Sequence, residues 1–195
     1  MTLHRALTEV GNPPLRPLPA EVVDLLLSVN APPRLAAHLR AVHDVAAQIT
    51  AWLADHYPAL TIDRDAVLFG AATHDIGKTA HAEELSGPGS RHELAGQRLL
   101  LDAGTDPSLA RFAATHASWQ TATVTPEDLI VSLADKIWKG KRVPDLEQLV
   151  VDQLAAASGQ EPWQAFLNLD DLLSHIAEHA DDRLAFQNSY ATTTY

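Results

Sequence analysis

His74 and Asp75 stand side by side at the end of an apolar run, in AATHDIGKTAH (71–81). An imidazole nitrogen and a carboxylate oxygen are both ligands for a divalent transition ion. Adjacent residues can reach one ion where a helix ends and its backbone loosens. Two ligands do not fill a coordination sphere, so the others must come from distant parts of the chain. His38 and His43 lie in HLRAVHDVA, His92 in RHELAG, His116 in FAATHAS and Asp135 in LIVSLADKIW. Asp135 is the most telling, because Ile130, Val131, Leu133, Ile137 and Trp138 surround it. A carboxylate among apolar side chains is costly unless a cation or a hydrogen-bond donor meets it. A salt bridge to Lys139 at i+4 would satisfy it without a metal.

Two other patterns invite chemistry and are set aside. GKT (77–79) suggests a phosphate-binding P-loop, but the first glycine of that motif would fall at Ala72, and the segment before it reads as helix rather than strand. HIAEH (175–179) places two histidines at i and i+4, as in one class of zinc protease. That class takes a further acidic ligand well downstream, and the charged flanks Glu178, Asp181, Asp182 and Arg183 read as a solvated face.

The 195 residues hold 46% hydrophobic and 20% charged side chains, the composition of a globular protein. The absence of cysteine excludes disulfides, thiolate nucleophiles and Cys-ligated metal sites, and leaves ten histidines as softer ligands. With no apolar span of membrane length and no signal-like N-terminus, a cytoplasmic protein without a membrane partner is expected. A net charge of −11 argues against broad nucleic-acid binding. The chain has only four lysines, and three of them stand in DKIWKGKR: Lys136, Lys139 and Lys141. This is either a solvated helix end or a local anion-attracting patch. Lys78 is the fourth.

The elements that must position these residues are helical throughout. Residues 1–19 carry four of the twelve prolines and read as an arm. Helices follow over 20–30, 33–57 and 62–74, the second ended at Pro58 and the last with Asp63 as N-cap. Ser90-Arg-His-Glu93 matches a capping box for a helix to about 103. Asp106-Pro107, Thr125-Pro126, Pro144 and Pro162 open four more, with 107–118 and 162–187 each continuous. Only TATV (121–124) hints at a strand. The expectation is one all-α bundle of about eight helices over 20–195, with 145–187 capping it or forming a homodimer interface. On the long helix, His38 shares the apolar stripe of Val42, Val45 and Ile49, whereas His43 stands near its border.

The ordered pattern of His38, then His74-Asp75, then Asp135 resembles the HD-domain metal-dependent phosphohydrolase superfamily. HLRAVHDVA is similar to its first-ligand helix, with Val42, Val45 and Ala46 at the expected offsets from His38; counted from His43 the fit is poorer, and His43 stays as the alternative. HDIGK, RHELAG and LADKIWKGKR are similar to later segments of that superfamily, and the resemblance spans about 34–142. It implies a divalent ion (Mn, Fe, Co, Ni or Zn) held by His38, His74, Asp75 and Asp135. A second ion would be held by His92 and His116, bridged by Asp75. It implies hydrolysis of a small phosphorylated substrate or nucleotide, with Asp75 and Lys78 catalytic and Lys78, Arg91 and Lys136 binding phosphate. SGPGS (86–90) would be a flap or a plain connection. No GYP signature is present, so the cyclic-dinucleotide branch is not supported. A dinuclear iron oxygenase on the same scaffold and a non-catalytic interaction domain are the rival readings.

Overall fold

In the computed structural model, which describes residues 2–121 and 123–192, the N-terminal segment is more than an arm. Its first residues form α1 (Leu3–Thr8), and Leu3, Ala6, Leu7, Leu15 and Leu18 are buried. The guanidinium of Arg40 donates to the carbonyls of Ala6 (2.8 Å) and Glu9 (2.9 Å), which fastens this segment to the rest. After α2 (Ala20–Ser28) comes α3 (Pro33–His56), the central helix, begun by Pro33 in its first turn. Small residues, Ala36, Ala37, Ala41, Ala46 and Ala47, leave room for neighbours on every side. α1, the next helix α4 (Arg64–Thr73), and two later helices all pack against it.

Asp63 caps α4 as its residue type predicts, accepting from the Ala66 amide at 3.0 Å. His74 ends α4, and the chain tightens into a 3-10 turn over Ile76–Thr79, then a second over Ala82–Leu85. The first turn lies directly on α5 (Arg91–Asp102). A Cβ at Gly77 would fall 2.0 Å from the His92 carbonyl oxygen, so only glycine permits this approach. α8 (Pro126–Ile137) follows α6 (Pro107–Ala110) and α7 (Phe112–Thr115) and opens on a capping box of Thr125 and Asp128. α9 (Pro144–Ser158), α10 (Pro162–Ala177) and α11 (Ala180–Asn188) complete the chain; α9 and α10 pack on each other and on α8, and α11 returns to α3.

The core has two parts that divide α3 along its length, residues 41–53 lying in one and residues 35–39 in the other. Leu53, Phe112, Leu133, Leu154 and Leu173 belong to one; Leu7, Leu26, Leu39, Ile76 and Leu100 belong to the other. The fold is all-α, with eleven α-helices among the described residues rather than about eight. The excess comes from α1 and from two expected helices that break. Residues 107–118 divide at Arg111, and 162–187 divide at Glu178 and His179. The possible strand at 121–124 includes residue 122, outside the described residues, and no strand occurs among the described ones. The capping box expected at Ser90 and Glu93 does not form, since the Ser90 side chain makes no cap bond. The Glu84 carboxylate takes its place, accepting from the amides of Arg91 (3.3 Å) and His92 (3.1 Å).

Candidate metal centre

Five elements turn their polar residues toward one buried point. α3 contributes His38, the end of α4 contributes His74 and Asp75, and the last turn of α8 contributes Asp135; all four are buried. The Nε2 atoms of His38 and His74 are 3.2 Å apart. His38 Nε2 lies 3.1 Å from Asp75 Oδ2 and 3.7 Å from Asp135 Oδ1, and His74 Nε2 lies 3.6 Å and 3.4 Å from the same two atoms. Ligands about 2.1 Å from a tetrahedral ion stand about 3.4 Å from one another. The four atoms therefore already have the spacing of a coordination shell.

A second group shares Asp75. Its Oδ1 lies 3.0 Å from His92 Nε2, on the first turn of α5, and 3.6 Å from His116 Nε2, at the end of α7. Ligand atoms of each group lie within 4.8 Å of one another, so each group could hold an ion. Asp75 thus directs one oxygen to each half.

Backbone and side-chain acceptors fix the imidazoles. His74 Nδ1 is 2.9 Å from the Ala71 carbonyl and His116 Nδ1 is 3.1 Å from that of Ala113. A carbonyl only accepts, so Nδ1 donates and the Nε2 lone pair faces the cluster. His92 Nδ1 meets the Glu84 carboxylate at 2.6 Å in the same way. This leaves His92 Nε2 and Asp75 Oδ1 as two buried, facing acceptors with no hydrogen-bond partner. Two lone pairs at 3.0 Å repel unless a proton or a metal ion lies between them, and a divalent ion there displaces that proton. That unmet demand, with the spacing of the first group, is what a divalent ion in each half would satisfy.

The ionisation states agree. Burial pushes Asp75 up, but the charge of His74, contacts with His38 and His92, and Lys78 hold it well below the usual carboxylate range. Asp135 is held down likewise, burial being outweighed by His74 and Lys136. Burial, joined by the charge of His74, pushes His116 down to about 4, and burial also lowers His38. Burial lowers His92 too, but Asp75 and Glu84 outweigh it and raise it overall. The ionised carboxylates and the neutral imidazoles of His38 and His116 are in the form that binds a metal, whereas His92 gives up a proton to an incoming ion.

The structure brings together six of the residues picked from sequence: His38, His74, Asp75, His92, His116 and Asp135. It separates the alternatives. His43 is buried on α3 away from both groups, and burial pushes it down to about 4, with Arg16 adding to the effect. Asp135 pairs with Lys136 at 2.6 Å rather than with Lys139. α8 ends at Ile137, so the helical i+4 geometry does not reach Lys139. Lys78 meets Asp75 Oδ2 at 2.5 Å. Arg91, expected to bind phosphate, turns its exposed guanidinium to Glu83 and Glu84 instead. His175 lies in the last turn of α10 and His179 in the break that follows, and they pair with Glu178 and Asp182 on the surface. Sequence reasoning missed Glu84. No motif marks it; only its position within a turn of a glycine-rich loop and His92 offers a signal.

An all-helical bundle that gathers two buried, adjoining sets of histidine and carboxylate ligands defines a metal-dependent hydrolase scaffold of the HD type. The sequence model of the HD domain matches residues 36–138, over half of the chain, and the chain belongs to the HD-domain metal-dependent phosphohydrolase superfamily. No curated protein and no solved structure matches it significantly. Among the described residues no helix is long and apolar enough to cross a membrane.

Proposed function

We propose that this protein hydrolyses a small phosphorylated substrate, a phosphoester or nucleotide, at the buried cluster. The observation that carries the reading is the placement of the lysines. In a chain of net charge −11 with only four lysines, two of them stand directly at this site. Lys78 touches Asp75 and Lys136 touches Asp135. Lys139 is pushed down by burial, and the charges of Lys136, Lys141 and Lys78 lower it further against the opposing pull of Asp135. A local cationic face in an acidic protein selects an anionic ligand.

His38, His74, Asp75 and Asp135 would hold one divalent ion, and Asp75, His92 and His116 a second; their mixed N/O donors suit Mn, Fe, Co, Ni or Zn. Ions bound there supply Lewis acidity, which lowers the pKa of water and polarises a phosphoryl oxygen. Asp75 orients both halves through its two oxygens. Lys78 and Lys136, already at the carboxylates, are placed to share their charge with a phosphoryl group. The T-shaped contact of the Trp138 and His38 rings, with centroids 4.9 Å apart, holds His38 in place and keeps water from its face.

Elemental analysis of purified protein, paired with a phosphoester screen, tests the reading. Bound transition metal and hydrolysis that Asp75→Ala abolishes are expected. Iron with substrate-dependent oxygen consumption and no phosphate release would favour the oxygenase reading instead.

A further inference from the structure

We propose that Glu84 is a positioning residue for the second metal position, and that it couples that position to the order of the 82–92 segment. The proposal rests on the two-ion reading above. It begins with the carboxylate itself. Glu84 is 6% exposed, in a stretch whose neighbours Glu83, Ser86 and Gly87 are not buried. One oxygen faces the Arg91 amide at 3.3 Å, and the other takes both the His92 amide at 3.1 Å and His92 Nδ1 at 2.6 Å. Three donors from two consecutive residues converge on one side chain. The backbone leaves space for it: a Cβ at Gly89 would lie 2.3 Å from Glu84 Oε1.

Two consequences follow. The carboxylate caps the first turn of α5, where free amides need an acceptor and the helix dipole favours negative charge. It also fixes the proton of His92 on Nδ1, aims Nε2 at Asp75 and makes that nitrogen a better donor to a cation. A neutral capping residue would do the first but not the second. The charge has one cationic partner in the exposed Arg91 guanidinium, 3.5 Å from Glu84 Oε1, and its shorter contact is with the His92 imidazole. His74 and His116 are oriented by plain carbonyls, so among the three oriented imidazoles this one alone has a charged acceptor.

Coupling is reciprocal. If Glu84 strengthens the second ion through His92, that ion must stabilise the arrangement in which Glu84 holds the Arg91 and His92 amides. The segment from the second 3-10 turn to the start of α5 should then tighten when the second ion binds.

The test compares wild type, Glu84→Gln and Gly89→Ala, each stripped of metal and titrated with Co(II), read by absorption, elemental analysis and amide hydrogen exchange. The glutamine keeps an oxygen for the cap and removes the charge. The alanine keeps the charge and displaces the carboxylate. In wild type, two equivalents bind, and the second slows exchange at Arg91 and His92. Both variants should keep the first equivalent at wild-type affinity and weaken the second by about 10- to 100-fold, without the ion-dependent slowing of exchange. Variants with a lowered melting temperature but an unchanged second affinity would make Glu84 a cap alone and overturn the proposal. A single equivalent in wild type would overturn the two-ion reading and the proposal with it.

Discussion

The two halves of the centre are built differently. His38, His74 and Asp135 come from the long packed helices α3, α4 and α8, whose flanking residues Val42, Ala71 and Ala134 are fully buried. His92 and His116 come from the first turn of α5 and the end of the one-turn helix α7, and His92 depends on a carboxylate from a 3-10 turn. The first half is a by-product of core packing: disturbing it means disturbing the bundle. The second half is held by local contacts, so it can be altered while the core stays intact. Among the described residues, Asp75 is the only candidate ligand common to both.

The largest effect should come from Asp75→Ala. It removes an oxygen from each half, so both ions and all hydrolysis should be lost, as read by elemental analysis and phosphate release. A variant that keeps one ion at full affinity would show that the halves do not share Asp75.

Next comes the pair His38→Ala and His43→Ala, which compares two buried histidines of one helix. His38→Ala should lose the first ion and its activity. His43→Ala should keep both, at a cost in stability of about 2 kcal/mol from the cavity it leaves, measured by urea unfolding. The reverse pattern would make His43 the ligand.

Gly77→Ala discriminates between the halves more finely. Its methyl would strike the His92 carbonyl and push the turn that follows Asp75 away from α5. Stability should fall by about 1–3 kcal/mol, and the second ion should weaken more than the first in a metal titration.

The effect smallest for metal binding, though not for stability, is a pH dependence outside both halves. Burial lowers His43 to about 4 in the folded state, while the unfolded chain takes up that proton near its ordinary value. The unfolded state therefore binds more protons between these values, and stability falls as pH drops from about 6.5 to about 4. His43 should contribute about 3 kcal/mol of that loss. Above about 6.5 its contribution is complete and flat. In unfolding curves, the stability of wild type relative to His43→Leu should fall as the pH drops through this range; a constant difference would contradict a neutral His43 in the fold.

Much of the first half was legible in the sequence, because each of its ligands sits in an apolar helical stripe whose period and caps can be read. The stripe of Val42, Val45 and Ile49 pointed His38 inward, and Asp135 stood out as a carboxylate in an apolar run. The second half was legible only as histidines in the right order. Glu84 was hidden because an acidic residue before SGPGS looks solvated, and because Ser90 and Glu93 offered a nearer capping box. That pattern encodes a local option, and a buried carboxylate eight residues before His92 outcompeted it. The breaks at Arg111 and Glu178 were also silent: neither is a glycine or proline, and at Glu178 the pieces pack against different neighbours, α10 on α9 and α8 and α11 on α3. The helix within the proline-rich arm was missed because its stability comes from Arg40 and the core, not from its own six residues.

The most direct measurement is the metal stoichiometry of wild type beside a His92→Ala/His116→Ala double variant, both saturated with Mn(II) or Co(II) and freed of excess ion. Two equivalents in wild type and one in the double variant, with the remaining ion at wild-type affinity, are expected of a centre in two separable halves. One equivalent in both proteins, or none in the double variant, would contradict it.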